Sequence, residues 1–256
     1  MTRYLTQLTW QEVADLPKDP GIVIQPIGAT EQHGHHLPLA TDTLIAEAVI
    51  KEALKYLPND IPAWVLPTIP ISKSNEHIGY AGTIALKAST LLAVLTDIAS
   101  SVAQAGFRRL LLVNAHGGNK ALLEMLARDL RAALGLLTFV ASPNPLTAED
   151  SAALSPQERR FGIHGGAVET ALILASNPEL VKMDKAAPFY PDFPSATLNL
   201  TTQPMVAWLT RDWSPVGHFG DPTAATAEDG ARYLEHAGRA LAAVIAEMAT
   251  FEVAHG

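Results

Sequence analysis

The 256-residue chain has no cysteine. This excludes disulfides, thiolate zinc sites, iron–sulfur clusters and a thiol nucleophile, so a catalytic metal would have to rest on His, Asp and Glu. Positive charge is scarce as well: 18 Lys+Arg against 26 Asp+Glu leave a net charge of −8, and no basic run occurs. Neutralising phosphates takes a Lys/Arg surface, so nucleic acid is not an expected partner. Long apolar runs are missing too. Nothing approaches the ~18 uninterrupted apolar residues of a membrane span, and MTRYLTQLTWQEV lacks a signal-peptide core, so a cytoplasmic protein without membrane association is expected. The chain does carry nine histidines and 17 glycines.

Strand and helix signals alternate over the first 141 residues. Thr9-Trp10-Gln11-Glu12 reads as a capping box opening a short helix. Gly21–Ile27 reads as a buried strand, Asp42–Tyr56 as a helix, Ala63–Ile69 as a second strand, and a further helix runs from Ser89 to a glycine cap at Gly106. Arg109–Val113 is the clearest strand, followed by a Leu-striped helix stopping at Gly135 and a strand over Leu136–Ala141. Such repetition predicts βαβ units and a mostly parallel central sheet covered on both faces, an α/β fold. Beyond it, Ser155-Pro156-Gln157-Glu158 opens a short helix, Ala167–Ala175 forms another closed by Asn177-Pro178, residues 184–222 show no period, and a helix runs from Thr226.

Three polar clusters fall on the expected strand-to-helix loops, where ligands of open α/β sheets bind. They are Glu31-Gln32-His33-Gly34-His35-His36 with Asp42 beyond, His116 within Asn114-Ala115-His116-Gly117-Gly118-Asn119, and His164-Gly165-Gly166-Ala167-Val168-Glu169. Carboxylates and imidazoles in this combination suit Zn²⁺, Mn²⁺ or Fe²⁺. The glycines beside them let backbone approach a metal or substrate without a Cβ in the way. Asp42 also has a plainer reading as a helix N-cap. His35, His236 and His255 lack any such context and read as solvated.

Taken together, Pro26 to Pro38 with Thr41-Asp42, Gly82-Thr83-Ile84 after Glu76-His77, the NAHGGN run, His164-Gly165-Gly166 with Glu169-Thr170, and Gly220-Asp221-Pro222 resemble the signature of the creatininase family, also called creatinine amidohydrolase-like proteins. The resemblance spans nearly the whole chain. It implies one three-layer α/β/α domain over residues 1–256, two divalent metal ions, hydrolysis of a non-peptide C–N bond in a small, often cyclic or formyl, amide by a metal-bridging hydroxide, and a homo-oligomer, commonly a hexamer. It makes Glu31, Asp42 and His116 ligands of one metal, with His33 and a bridging Asp42 on the other and Glu169 as a fifth ligand. His164 corresponds to the catalytic histidine, joined by Glu169, and Ser74, His77, Gly117 and Gly118 are expected at the substrate.

Two departures stand out. Creatininases carry a Tyr and a metal-binding Glu where this chain has Gly117 and Gly118, and they close their pocket with tryptophans, of which residues 140–164 contain none. Creatinine is therefore not the expected substrate. The NAHGGN form instead resembles branches that deformylate ring-opened purine-like compounds or process peptides in redox-cofactor maturation. A metal-dependent hydrolase of a cyclic ester or keto-sugar is the alternative enzyme, and a metal-stabilised binding protein the alternative without catalysis.

Overall fold

The structure, a computed structural model describing residues 2–254, contains nine helices and one four-stranded sheet among the described residues. In chain order these are α1 (Trp10–Asp15), β1 (Ile22–Ile27), α2 (Thr41–Tyr56), β2 (Ala63–Val65), α3 (Ala88–Gln104), β3 (Arg109–Asn114), α4 (Lys120–Leu134), β4 (Leu137–Ala141), α5 (Ala148–Ala153), α6 (Pro156–Phe161), α7 (Ala167–Ser176), α8 (Thr210–Trp213) and α9 (Ala227–Thr250). Local chemistry sets many of the boundaries. Thr9 and Glu12 form the anticipated reciprocal cap on α1, and Gly135 ends α4 in the left-handed conformation, φ 68°.

All strand pairs are parallel, in the order β2-β1-β3-β4. The chain leaves β1 towards β2 and later returns to the other side of β1 as β3, so the strand order reverses between β1 and β3. In open α/β sheets this reversal opens a crevice at the carboxyl ends of the two strands. Alternate side chains of the buried strands serve opposite faces. Ile22, Ile24, Leu111 and Val113 pack with α2, α7 and α9, whereas Val23, Ile27, Leu110 and Leu112 pack with α3 and α4. The result is the expected three-layer α/β/α arrangement.

The second strand is shorter than the seven residues its sequence predicts. Pro67 has no N–H to continue the ladder, and the chain rejoins β1 only where the Ile69 N–H donates to the Pro26 carbonyl at 3.0 Å. Helix α5 was not anticipated, although Thr147 and Asp150 form a capping box at its start. Asp42 does not cap α2. The N-cap is Ala40, and the Asp42 carboxylate points elsewhere, as described below.

Arg109 anchors the amino-terminal rim of the sheet. It is 1% exposed, and its guanidinium donates to the Met248 and Phe251 carbonyls at the end of α9 while pairing with Asp19 and Glu252. One cation thus satisfies carbonyls that a helix C-terminus leaves free. Replacing Arg109 with Met is expected to lower unfolding free energy by about 1.5–3 kcal/mol, the scale of hydrogen bonds to a charged group. A urea denaturation series checks this, and an unchanged midpoint would remove Arg109 from the anchoring role.

Candidate metal centre

The loops that follow β1 and β3 carry the predicted residues into the crevice between those strands. From the first come Glu31 and His33, from the start of α2 Asp42, and from the second His116. His164 and Glu169 arrive at the amino end of α7. No side chain of the N-cap residue, Gly166, satisfies that helix start, and Glu158 of α6 does so instead. One Glu158 oxygen accepts from the Ala167 N–H at 2.8 Å, and the other accepts from the Asp221 N–H at 2.8 Å and the Tyr190 hydroxyl at 2.9 Å.

Asp42 stands at the middle of the cluster. One of its oxygens lies 3.3 Å from His33 Nε2 and the other 3.1 Å from His116 Nδ1. Glu31 Oε1 lies 3.3 Å from His116 Nδ1, 3.4 Å from His77 Nε2 and 3.6 Å from His164 Nδ1. Glu169 Oε2 accepts from the Gly165 N–H at 2.6 Å and sits 3.7 Å from His33 Nε2. Candidate ligand atoms fall into three groups: Glu31, Asp42 and His116; His33, His164 and Glu169; and Glu31, His77 and His164. Both Glu31 oxygens, Asp42 Oδ2 and His33 Nε2 are buried without a hydrogen-bond partner in the protein. Leaving such atoms unpaired costs several kcal/mol, and oxygen with imidazole is a donor set that divalent ions satisfy. The residues present therefore fit a metal site.

Backbone contacts orient the rings. His33 Nδ1 donates to the Glu31 carbonyl at 3.2 Å, His116 Nε2 to the Lys73 carbonyl at 3.0 Å, and His164 Nε2 to the Gln32 carbonyl at 2.7 Å. Each ring thus turns its other nitrogen towards the carboxylates. Electrostatics follow this geometry. Burial opposes a charge on His33, yet Asp42, Glu169 and Glu31 outweigh it and push the ring up to about 9. His116 also rises well above the usual histidine value, because Glu31, Asp42 and Glu76 overcome its burial. Burial is opposed by His33 and His116 at Asp42, which stays well below the carboxylate range, and by His116 and Lys73 at Glu76, held at about 2. His164 goes the other way: burial, with His33 and His77 nearby, holds it well below its ordinary value. Burial also pushes the Glu169 carboxyl up, with Asp42 and Glu31 adding repulsion against the pull of His33.

Glu169 is the cluster's opening to the outside, its side chain 27% exposed against 1% for Glu31 and 2% for Asp42. It borders a cavity of about 400 Å³ that also reaches His116 and is walled by Ile45, Val49, Val113, Leu146 and Leu172. Gly117 lines this cavity, with open space where a Cβ would stand. Gly118 is instead packed against Glu76. Ser74 is fully buried with an unpartnered hydroxyl, and His77 reaches the cluster itself. His35 is exposed and His236 half-buried, while His255 lies outside the described residues.

Sequence reading missed three contributors. Glu76 faces the outer nitrogen of His116 at 3.4 Å. Thr210 Oγ1 lies 2.8 Å from His77 Nδ1. The Gln32 side chain lies 3.0 Å from His77 Nδ1 and donates to the Gly217 carbonyl. Glu76 and Gln32 had a signal, being adjacent in sequence to singled-out histidines, whereas Thr210 sits in the stretch without a period.

A family model described as creatininase, creatinine amidohydrolase, matches residues 6–245. The chain is 34% identical to the mycofactocin precursor peptide peptidase of Mycobacterium ulcerans over 238 residues, 89% of this chain and 86% of that protein. It is 32% identical to the creatinine amidohydrolase of Pseudomonas putida over 216 residues, 76% of this chain and 78% of that one. A solved manganese creatininase superposes with a TM-score of 0.76 at 26% identity, covering 96% of this chain and 98% of the other.

Because His33 at about 9 lies above its unfolded value, its stabilising contribution to the metal-free protein is complete below pH ~6.5 and lost as pH rises through about 9. The metal-free protein should weaken across that window. Metal must displace the protons of His33 and His116, so affinity should rise over the same range and binding should release protons. Calorimetric titration with Zn²⁺ in two buffers of different ionisation enthalpy measures this. A heat independent of the buffer would contradict it.

Proposed function

The chain belongs to the creatininase family, and on that premise we propose that it is a metal-dependent amidohydrolase cleaving a C–N bond of a compact amide at the cluster of Glu31, His33, Asp42, His116 and Glu169. One observation carries this reading: buried oxygen and imidazole atoms without partners face one another at the carboxyl ends of β1 and β3. Glu31, Asp42 and His116 would hold one ion, and His33, Asp42 and Glu169 a second, with zinc, manganese and iron all suited to these donors. When bound, such a pair supplies a water that ionises near neutral pH and a Lewis acid for the amide carbonyl.

The protein's own groups handle the proton. His164 is neutral at pH 7, and its Nε2 hydrogen is committed to the Gln32 carbonyl, so the Nδ1 lone pair faces the cluster. Nδ1 can take a proton from water and return it to the departing nitrogen, which a poor leaving group such as an amide nitrogen requires. Glu169, open to the cavity and with its carboxyl shifted upwards, is a second acceptor at the same face. Gln32 and Thr210 hold His77 in place through its Nδ1.

The cavity selects the substrate by size and by its largely apolar wall. It suits a small cyclic or formyl amide or the end of a peptide-like chain, and the 142–146 segment lining it brings no tryptophan. All the proposed ligands come from residues 31 to 169 of one chain, so residues 1–256 act as a single catalytic domain. Assembly as a homohexamer in the cytoplasm completes the proposal by family likeness. No helix of the described residues is long and apolar enough to cross a membrane.

His116→Ala is expected to lose metal and activity together while keeping its circular dichroism spectrum. Full metal content in that variant would overturn the ligand assignment. His164→Asn should retain metal and lose about 10²–10⁴-fold in kcat, the usual worth of a positioned acid–base group. Assays on lactams, N-formyl compounds, short peptides and lactones test the bond type, and turnover of lactones alone would favour the ester reading.

A further inference from the structure

On the side of His116 away from Glu31 and Asp42 lies a carboxylate that no part of the proposed ligand set uses. Glu76, in the single turn Asn75–His77, places Oε1 3.4 Å from His116 Nε2, while Nδ1 of the same ring faces Asp42 at 3.1 Å. Its other oxygen lies 3.5 Å from Lys73 Nζ, and the Lys73 carbonyl accepts from His116 Nε2 at 3.0 Å. The Glu76 side chain is only 14% exposed. It belongs to none of the three groups of candidate ligand atoms, so it backs a ligand without being one.

Gly118 makes room for it. A Cβ at that position would stand 1.9 Å from Glu76 Oε1, 2.5 Å from His116 Nε2 and 2.8 Å from the Lys73 carbonyl oxygen. Backbone conformation does not demand glycine there, since φ lies outside the left-handed region; close approach does. The neighbouring Gly117 has nothing within 4 Å of its own Cβ position, so the two adjacent glycines have different causes.

We propose that Glu76 is the positioning residue for His116, sharing the Nε2 hydrogen with the Lys73 carbonyl so that the Nδ1 lone pair is aimed at the metal site, and that Gly118 exists to admit this carboxylate. The inference rests on the metal-site reading above. A carboxylate behind a ligating imidazole fixes its tautomer and ring orientation and raises its basicity, and losing it costs roughly 10–100-fold in metal affinity. The departure noted in the sequence gains a physical meaning: the chain lacks an acidic side chain two residues after His116, and a carboxylate reaches the vacated space from a loop some forty residues earlier. Arriving at the outer nitrogen, it tunes the imidazole.

Competition between the full-length protein and a chromogenic chelator for Zn²⁺ tests this. Glu76→Ala should bind Zn²⁺ roughly 10–100-fold more weakly than wild type, and Glu76→Gln, whose amide oxygen still accepts, should lose less. Gly118→Ala keeps the carboxylate but displaces it, and should lose affinity comparably to Glu76→Ala. In the Zn²⁺-loaded wild type, the His116 Nε2 hydrogen should resonate far downfield by nitrogen-15 histidine NMR, and in Glu76→Ala, where only the Lys73 carbonyl accepts it, it should move upfield and exchange faster. Glu76→Ala and Glu76→Gln binding Zn²⁺ within twofold of wild type would overturn the proposal, as would weakened affinity in Glu76→Ala with the shift and exchange of the Nε2 hydrogen unchanged. Wild-type protein that binds neither Zn²⁺ nor Mn²⁺ would sink the metal-site reading itself, and this inference with it.

Discussion

Acidic side chains placed out of reach of water are the constraint around which this protein is built. Glu31 and Asp42 are almost completely buried at the carboxyl ends of two central strands. An isolated carboxylate in such a place costs many kcal/mol, so it must find positive charge or give up its own. His33 and His116 meet that need in the metal-free protein by carrying protons they would not hold in water. Competition between proton and metal for the same atoms follows directly. Desolvation also separates the roles of the imidazoles, because His164, surrounded by other rings, stays neutral where His33 becomes charged.

Such a cluster holds only if its neighbours cannot relax. The supporting contacts come from several directions: backbone carbonyls fix His33, His116 and His164, Glu158 pins the start of α7, and Thr210 reaches in to His77. The two cores keep the loops at a set separation, with α2, α7 and α9 on one face of the sheet and α3 and α4 on the other. Reversal of strand order between β1 and β3 leaves the gap into which the loops carrying Glu31, His33 and His116 fold.

Much of this was legible in the sequence where a motif is local. β1 and β3 are short runs of branched apolar residues, and Gly135 marks the end of α4 because left-handed backbone favours glycine. Glu31, His33, Asp42 and His116 could be found because each sits just beyond a strand or at a helix start. The shortening of β2 was legible only in retrospect, since Pro67 breaks the ladder without breaking the extended chain. Thr210 carried no signal. Its contact with His77 spans 133 residues and depends on how the stretch from 184 to 222 wraps back over the crevice. Glu76 stands beside His77 in the sequence, but the ring it faces is that of His116 in a different motif, so adjacency alone did not reveal the contact.

Arg109 sits at the first residue of β3 and the cluster around His116 just past its last, about 20 Å apart at roughly 3.3 Å per residue. One strand therefore joins two kinds of demand at its two ends. At the lower rim a cation gathers helix carbonyls and holds the fold closed, and at the upper rim buried carboxylates depend on the charge of the imidazoles that face them. The residues that hold the fold closed and those that gather the buried charges are thus separate side chains on a single strand and its following loop.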